Sequence, residues 1–511
     1  MALGFILTYG PAGALGRPVT AAAPRDEVTL FGTLPSTFDP GLGSDIGSAA
    51  ITAQLFESMT AFDLSLTLRP ALARAWDISG DGRRIVFHLR HGLTFSDGSP
   101  LTAADVVGSW RRIIDPDRPS QLASLFVDVR GAADYLFGRD RNPDHVGLHE
   151  VDGDVVVDLE RPGADFPSIV SSPTFGIVPP AVWRDGANID TEPVATSGAY
   201  TLGVVDASSF TLNGNPHYWG GMPAIRTVTI LTTLGGRSPV AAFESGDVDY
   251  ARISSSDASW IRYDQVLGPQ LRSVPELSLV FLGFTTDRPP FDDIRVRQAF
   301  AAAVDWTRIA DLGSNRGDVP ALSMVPPGIK DGGGRNWIPR HDPARARQLM
   351  ADAGFPGGAG FPVIAFAPDG GPGEAIAADL KRELGVNVLL EDLVDHFGRL
   401  HDAPPSMWTL GWIADYPGPN DFLGVLLETG STNNYGRWSS SRFDAAINDA
   451  LITRSSSAAL TAYERALAIV RDEAPVIPLS RGDGWALSRD GLLGADENGL
   501  GILRMAGLGW Q

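Results

Sequence analysis

His145 and His149 stand four residues apart with Glu150 beside them, the best metal-ligand spacing in the chain. On a helix, two imidazoles so placed share a face and could hold a divalent ion. Pro143, Gly147 and the turn pair Asp152-Gly153 instead predict a loop running into a hairpin, so no metal site is expected. Cysteine is absent, which removes thiol nucleophiles, thiolate zinc sites, iron–sulfur clusters and disulfides together. Lysine occurs only at Lys330 and Lys381, and neither follows a glycine, so there is no Gly-Lys-Ser/Thr phosphate loop. Gly-x-Ser-x-Gly, Gly-x-Gly-x-x-Gly and His-Glu-x-x-His are also missing. Paired carboxylates remain, since 61 acidic residues leave a glycosidase- or peptidase-type pair open by counting alone.

The 61 acidic residues face 41 Lys and Arg, a net charge of −20. That balance argues against nucleic acid as a partner and against a polybasic membrane patch. A length of 511 residues, 43% apolar and 20% charged, predicts a globular chain of two to four domains. Residues 2–20 are small and apolar and run into Ala21-Ala22-Ala23, which reads as a secretory leader with its cleavage site. Its usual basic start is missing, so residues 1–25 are read as a truncated leader. No later apolar run is long enough to span a bilayer.

The elements are α/β throughout. Residues 28–33 and 85–90 alternate as strands, and Thr102 with Asp105 opens a helix running to 115. Hairpins are expected at 148–159, around Asp152-Gly153, and at 200–212. Residues 291–305 predict a helix with Ile294, Phe300 and Val304 inward. Asp342, Pro343 and Gly354 cap, start and stop another, with Ala346, Leu349, Met350 and Ala353 inward. A helix at 374–384 leads to a strand at 386–390, and a last helix is expected at 461–473. The Gly- and Pro-rich stretches 326–339 and 355–372 read as loops or hinges.

Seven blocks, in order along the chain, resemble the oligopeptide- and dipeptide-binding family, the family 5 extracellular solute-binding proteins of ABC importers. They are Leu34-Pro35-Ser36-Thr37-Phe38-Asp39-Pro40, then Gln54-Leu55-Phe56-Glu57-Ser58-Met59, then the long block from Phe87 through Thr94-Phe95-Ser96-Asp97-Gly98 to Val107. Ser197-Gly198-Ala199-Tyr200, Asn215-Pro216-His217-Tyr218-Trp219, Phe291 through Phe300, and Gly411-Trp412-Ile413-Ala414-Asp415-Tyr416 complete the set.

The resemblance implies a two-lobed α/β binding-protein fold with mixed sheets, closing by a hinge on a ligand in the cleft. Lobe one would comprise 26–45, 190–272 and 474–511, with a second domain, 46–189, inserted; lobe two would span 273–473. Asp415 is implied to hold the ligand's α-ammonium, because a buried cation needs a charged partner. Gly411, Trp412 and Ile413 are implied to pair with an extended peptide as an added strand, with Gly411 allowing close approach. Asp45 and Ile46 fall where the N-terminal loop meets the peptide backbone. Asn433 and Asn434, with Tyr435, are expected to line a wet pocket. For the ligand carboxylate the candidates are Arg399 and His401, with His396 and Arg437, because Thr409 stands where relatives carry a base. Gly108 replaces a customary aromatic, which predicts a wider pocket.

The function so implied is capture of short peptides and delivery to a permease and its ATPase subunits, without catalysis or cofactor, by an extracytoplasmic monomer. This sequence has no lipobox cysteine, which implies either an unanchored periplasmic protein or a true N-terminus lying outside it. Haem, a nickel chelate or an oligosaccharide is the alternative ligand on the same fold. An enzyme, or a receptor that signals without transporting, is a further alternative.

Overall fold

Glu27–Phe31 buries Val28 and Leu30 and leaves the intervening residues outside, the alternation of a strand with one face on a core. It pairs in parallel with Thr227–Leu231 on one side and Tyr250–Ile253 on the other. The computed structural model describes residues 25–43, 45–313, 319–329, 335–368, 372–392, 396–453 and 455–511. All but the last residue of the expected leader lies outside these, as do residues 330–334 and 369–371 of the two Gly- and Pro-rich stretches.

Three sheets organise the chain. A seven-stranded mixed sheet takes its strands from residues 27–31, 200–275 and 483–488, so the chain visits it three times. Between the first two visits lies a four-stranded antiparallel sheet made of Ala73–Ile78, Arg84–Leu89, Asp154–Asp158 and Leu148–Val151. Its hairpin turns at Asp152 and Gly153, both left-handed at φ 52° and 84°, the conformation a two-residue hairpin needs. Helix Ala103–Ile113 packs on this sheet, with Trp110 edge-on to Phe87 at 5.9 Å. Asp105 fixes its start by accepting from Thr102 N and Oγ1, both at 2.8 Å.

The third sheet has six strands in the order Val319–Pro320, Val476–Arg481, Ser278–Phe284, Met407–Ile413, Ile364–Ala367 and Val388–Leu390. Its helices include Pro343–Asp352, capped by Asp342 and stopped by Gly354 at φ 97°, with Ala346, Leu349 and Met350 buried. Helix Ile294–Ala303 is shorter than the sequence predicts, because Asp293 caps it. Ile294, expected inward, is 39% exposed, while Phe291 and Phe300 fill the core on that side. The last long helix starts earlier than predicted, at Ser456, because Ser455 accepts from Ala458 N and supplies the cap.

The chain passes between the seven- and six-stranded sheets twice, at neighbouring places. Leu271–Pro275 leads through Glu276 and Leu277 into Ser278–Phe284, and Val476–Arg481 returns through Gly482 into Asp483–Ser488. The two crossings are paired before and after, Pro275 with Asp483 and Val280 with Ser480. Gly482 N donates to Ser278 Oγ at 3.0 Å between them. Arg252 braces Glu276 at 2.9 Å and also grips Glu497.

The lobes are closed on each other. The largest buried apolar cluster joins Phe126, Phe166 and Ile169, beside the four-stranded sheet, to Tyr416, Phe422 and Val425 of the other lobe. His145 and His149 lie on different elements, a 3-10 turn and a strand, each beside an aspartate. His88 bridges Asp154 at 2.6 Å and Asp77 at 2.9 Å. No helix among the described residues is long and apolar enough to cross a membrane.

Candidate functional site

A cavity of about 550 Å³ lies between the lobes. Helix Ile46–Leu55 starts on one wall and presents Ile46 and Ala49, with Asp45 at its cap. Ser172 and Thr174 continue that wall, and Leu500 and Ile502 of the C-terminal segment close one side. The opposing wall is the end of the Met407–Ile413 strand and the residues just beyond it. It presents Gly411, Trp412, Ile413 and Asp415, with Asn433 and Tyr435 behind.

Among the described strands, that strand has one edge left open. Ser278–Phe284 pairs with it along its full length on one side. On the other side Ile364–Ala367 reaches only Met407 and Trp408. Beyond them His396 Nε2 bonds the Thr409 carbonyl at 2.8 Å, and from Leu410 to Ile413 no described strand lies alongside. An open edge facing a cavity is the backbone template that extended chains add to. Gly411 is exposed, and a Cβ there would meet no atom within 4 Å, so its surroundings are already open.

Asp415 lies just past this edge. Its Oδ2 is out of contact with solvent and has no hydrogen-bond partner among the described residues. Burial pushes its carboxyl up to about 7. Asp421, fully buried behind it, accepts from Asp415 N at 3.2 Å and from Trp412 Nε1 at 3.1 Å. Burial, reinforced by the neighbouring Asp415, pushes Asp421 well above the usual carboxylate range. Leu277 in the first crossing accepts from Ala414 N at 2.9 Å and donates to Gly499 O at 2.7 Å, so the hinge bonds directly to segments on two sides of the cavity.

Asp45 is differently placed. Its carboxylate accepts from Ser48 N at 2.8 Å and from Ser48 Oγ and Ser36 Oγ, both at 2.6 Å. Burial opposes its charge, but these bonds hold its carboxyl below the ordinary value. Asp45 is thus a helix cap at the cavity's edge.

The two asparagines diverge. Asn433 lines the cavity with its Nδ2 buried and without a partner among the described residues. Asn434 turns away, donating to Trp438 O at 2.7 Å and accepting from Trp438 N at 3.1 Å. Arg399 and His401 are exposed on helix His396–Asp402 and do not line the cavity; His401 meets Asp402 at 3.0 Å. Arg437 pairs with Asp287 at 3.1 Å, again outside it. Gly108 does not widen this cavity either. It sits on helix Ala103–Ile113 against Trp183, whose ring fills the space a Cβ would need. Gln121, Ser172, Thr174, Leu500 and Ile502 carry no sequence signal as cavity residues, nor does Asp421 behind it, because only tertiary packing brings them there.

At the rim a second set of contacts joins the lobes. Arg161 donates to Asp128 at 2.8 Å on its own side and to Glu428 at 3.0 Å across the gap. Deeper between the lobes, the buried Tyr416 OH donates to Asp165 Oδ2 at 3.1 Å.

Residues 67–434 match the family described as bacterial extracellular solute-binding proteins, family 5 middle. The chain is 28% identical to the protein named "Probable deoxycholate-binding periplasmic protein YgiS" of Escherichia coli, over 87% of this chain and 86% of that one. It is also 28% identical to the periplasmic oligopeptide-binding protein OppA of Salmonella typhimurium, over 89% and 87% respectively. The structure of the Escherichia coli murein tripeptide binding protein MppA superposes with a TM-score of 0.80 at 23% identity, covering 96% of this chain and 99% of that one.

Proposed function

The chain belongs to family 5 of the bacterial extracellular solute-binding proteins, and from that premise we propose that it captures a short peptide by its free amino end. One observation carries this reading: the Oδ2 of Asp415, buried in the cavity wall at the end of an open strand edge, has no hydrogen-bond partner among the described residues. A buried carboxylate in that state gains most from a cation that also donates hydrogen bonds, and an α-ammonium does both. The open edge from Leu410 to Ile413 then offers backbone pairing that does not depend on side chains. The lobes we assign are 26–45 with 190–272 and 474–511, carrying the inserted 46–189, and 273–473. Closure about the paired crossings encloses the peptide, and the closed form is what a permease and its ATPase subunits would receive outside the cytoplasm. No bond is broken in this cycle. Asp421 is walled off behind Asp415, so the two carboxyls cannot flank a scissile bond as a hydrolase pair must.

An anionic ligand, such as the bile acid in one relative's name, fits less well. The charged residues among the described cavity lining are Asp45 and Asp415, both acidic. The test is calorimetry with a tripeptide and its N-acetylated form. The free amine should bind and the acetylated form should be at least about a hundredfold weaker. Equal binding of the two would remove Asp415 from the role.

A further inference from the structure

Given that reading, the surroundings of the ligand's far end define it further. A cavity of about 550 Å³ falls within the roughly 300–1,000 Å³ that encloses a small ligand whole, so both ends of a short peptide lie inside. The amino end meets Asp415. For the other end, the described lining residues include no Arg, Lys or His. Arg504 stands in a small pocket that shares Pro173, Leu500 and Ile502 with the cavity, but Glu57 holds it at 3.4 Å. The positive end of helix Ile46–Leu55 is answered by its own cap, Asp45. Neutral groups remain among the described residues: the buried Nδ2 of Asn433, which has no partner among them, and the side chains of Gln121, Ser172 and Thr174. An amide N–H suits a carbonyl or hydroxyl oxygen. A carboxylate there would be buried without a cation and would face two acidic side chains.

We infer that the cleft takes a ligand of net charge +1: a short peptide-like amine whose far end is a neutral amide or hydroxyl rather than a carboxylate. Calorimetry of the full chain at pH 7.5 with trialanine, trialanine amide and N-acetyl-trialanine amide tests this. The amide should bind about tenfold or more tighter than the free acid, and the acetylated amide should not bind measurably. A free acid that binds as tightly as the amide overturns the inference and leaves the peptide reading standing. Binding by neither amine overturns both. Gln121→Arg, at an exposed position on the wall, supplies the missing cation and should move the acid-to-amide ratio about tenfold toward the acid. An unchanged ratio counts against a far end placed in this cavity.

Discussion

At the rim Arg161 spans Asp128 and Glu428, and each of its carboxylate partners is met by a guanidinium N–H. Burial works against the charge on Arg161, but the two carboxylates more than offset it and hold it firmly protonated. At the cavity wall, Asp415 and the buried Asp421 behind it lie together with no cation among the described residues to meet them, and among those residues each keeps one carboxyl oxygen buried and unbonded. Both regions join the same two lobes. The Arg161 bridge is electrostatically complete without ligand; the carboxyls at the cavity wall are not. The difference teaches that closure and capture are separable: the rim sets how readily the lobes meet, and the cavity sets what makes their meeting favourable.

Asp415→Asn should break that contrast most. Removing the partner of a buried cation costs about 3–5 kcal/mol of binding. The unliganded protein should lose no stability, because the change removes an uncompensated carboxylate. Titration calorimetry reads the first and thermal melting the second; unchanged affinity would refute the role. Arg161→Ala should act on the other side of the comparison. Losing charged hydrogen bonds of roughly 1.5–3 kcal/mol should open the lobes. Small-angle scattering should then show a larger unliganded radius of gyration, with affinity lowered about tenfold through the smaller closed population.

The pH dependence arises from the same carboxyls. Asp415, Asp421 and Asp165 are all pushed up by burial, so their protonated forms favour the folded state. That stability is fully present below their ordinary unfolded values and is lost as pH rises through the folded ones. The unliganded protein should therefore melt higher at pH 5 than at pH 8. His88, raised by its hydrogen bonds to Asp77 and then Asp154, contributes in the same sense. Asp415→Asn should flatten the slope in part. Peptide affinity should run the other way, falling from pH 8 to pH 5 as protons compete for Asp415. Last, Asn433→Ala should weaken binding by roughly 0.5–1.5 kcal/mol without touching stability, whereas Asn434→Ala should lower the melting temperature and spare binding.

How much of this was legible in the sequence depended on range. The fold rested on ordered blocks and on local signals such as Asp342-Pro343 and Asp152-Gly153, which act within one turn. Gly411, Trp412, Ile413 and Asp415 form one short segment, so placing one places the others. Asn433 and Asn434 are adjacent and polar alike, yet Trp438 claims one and leaves the other to the cavity. Arg399 and His401 sat close in sequence, but the helix that carries them holds them on the surface. Asp421 was unreadable because its contact with Asp415 depends on how residues 416–420 fold back, and no spacing rule states that.

The paired crossings at residues 276–277 and 482 have a mechanical consequence. Two straps fixed side by side permit rotation about the line through them and resist sliding and twisting. Opening is then a one-coordinate motion, and displacement grows with distance from that line. A single pair of dyes across the Arg161–Glu428 rim would therefore track the whole movement, and a crosslink at the same place would arrest it.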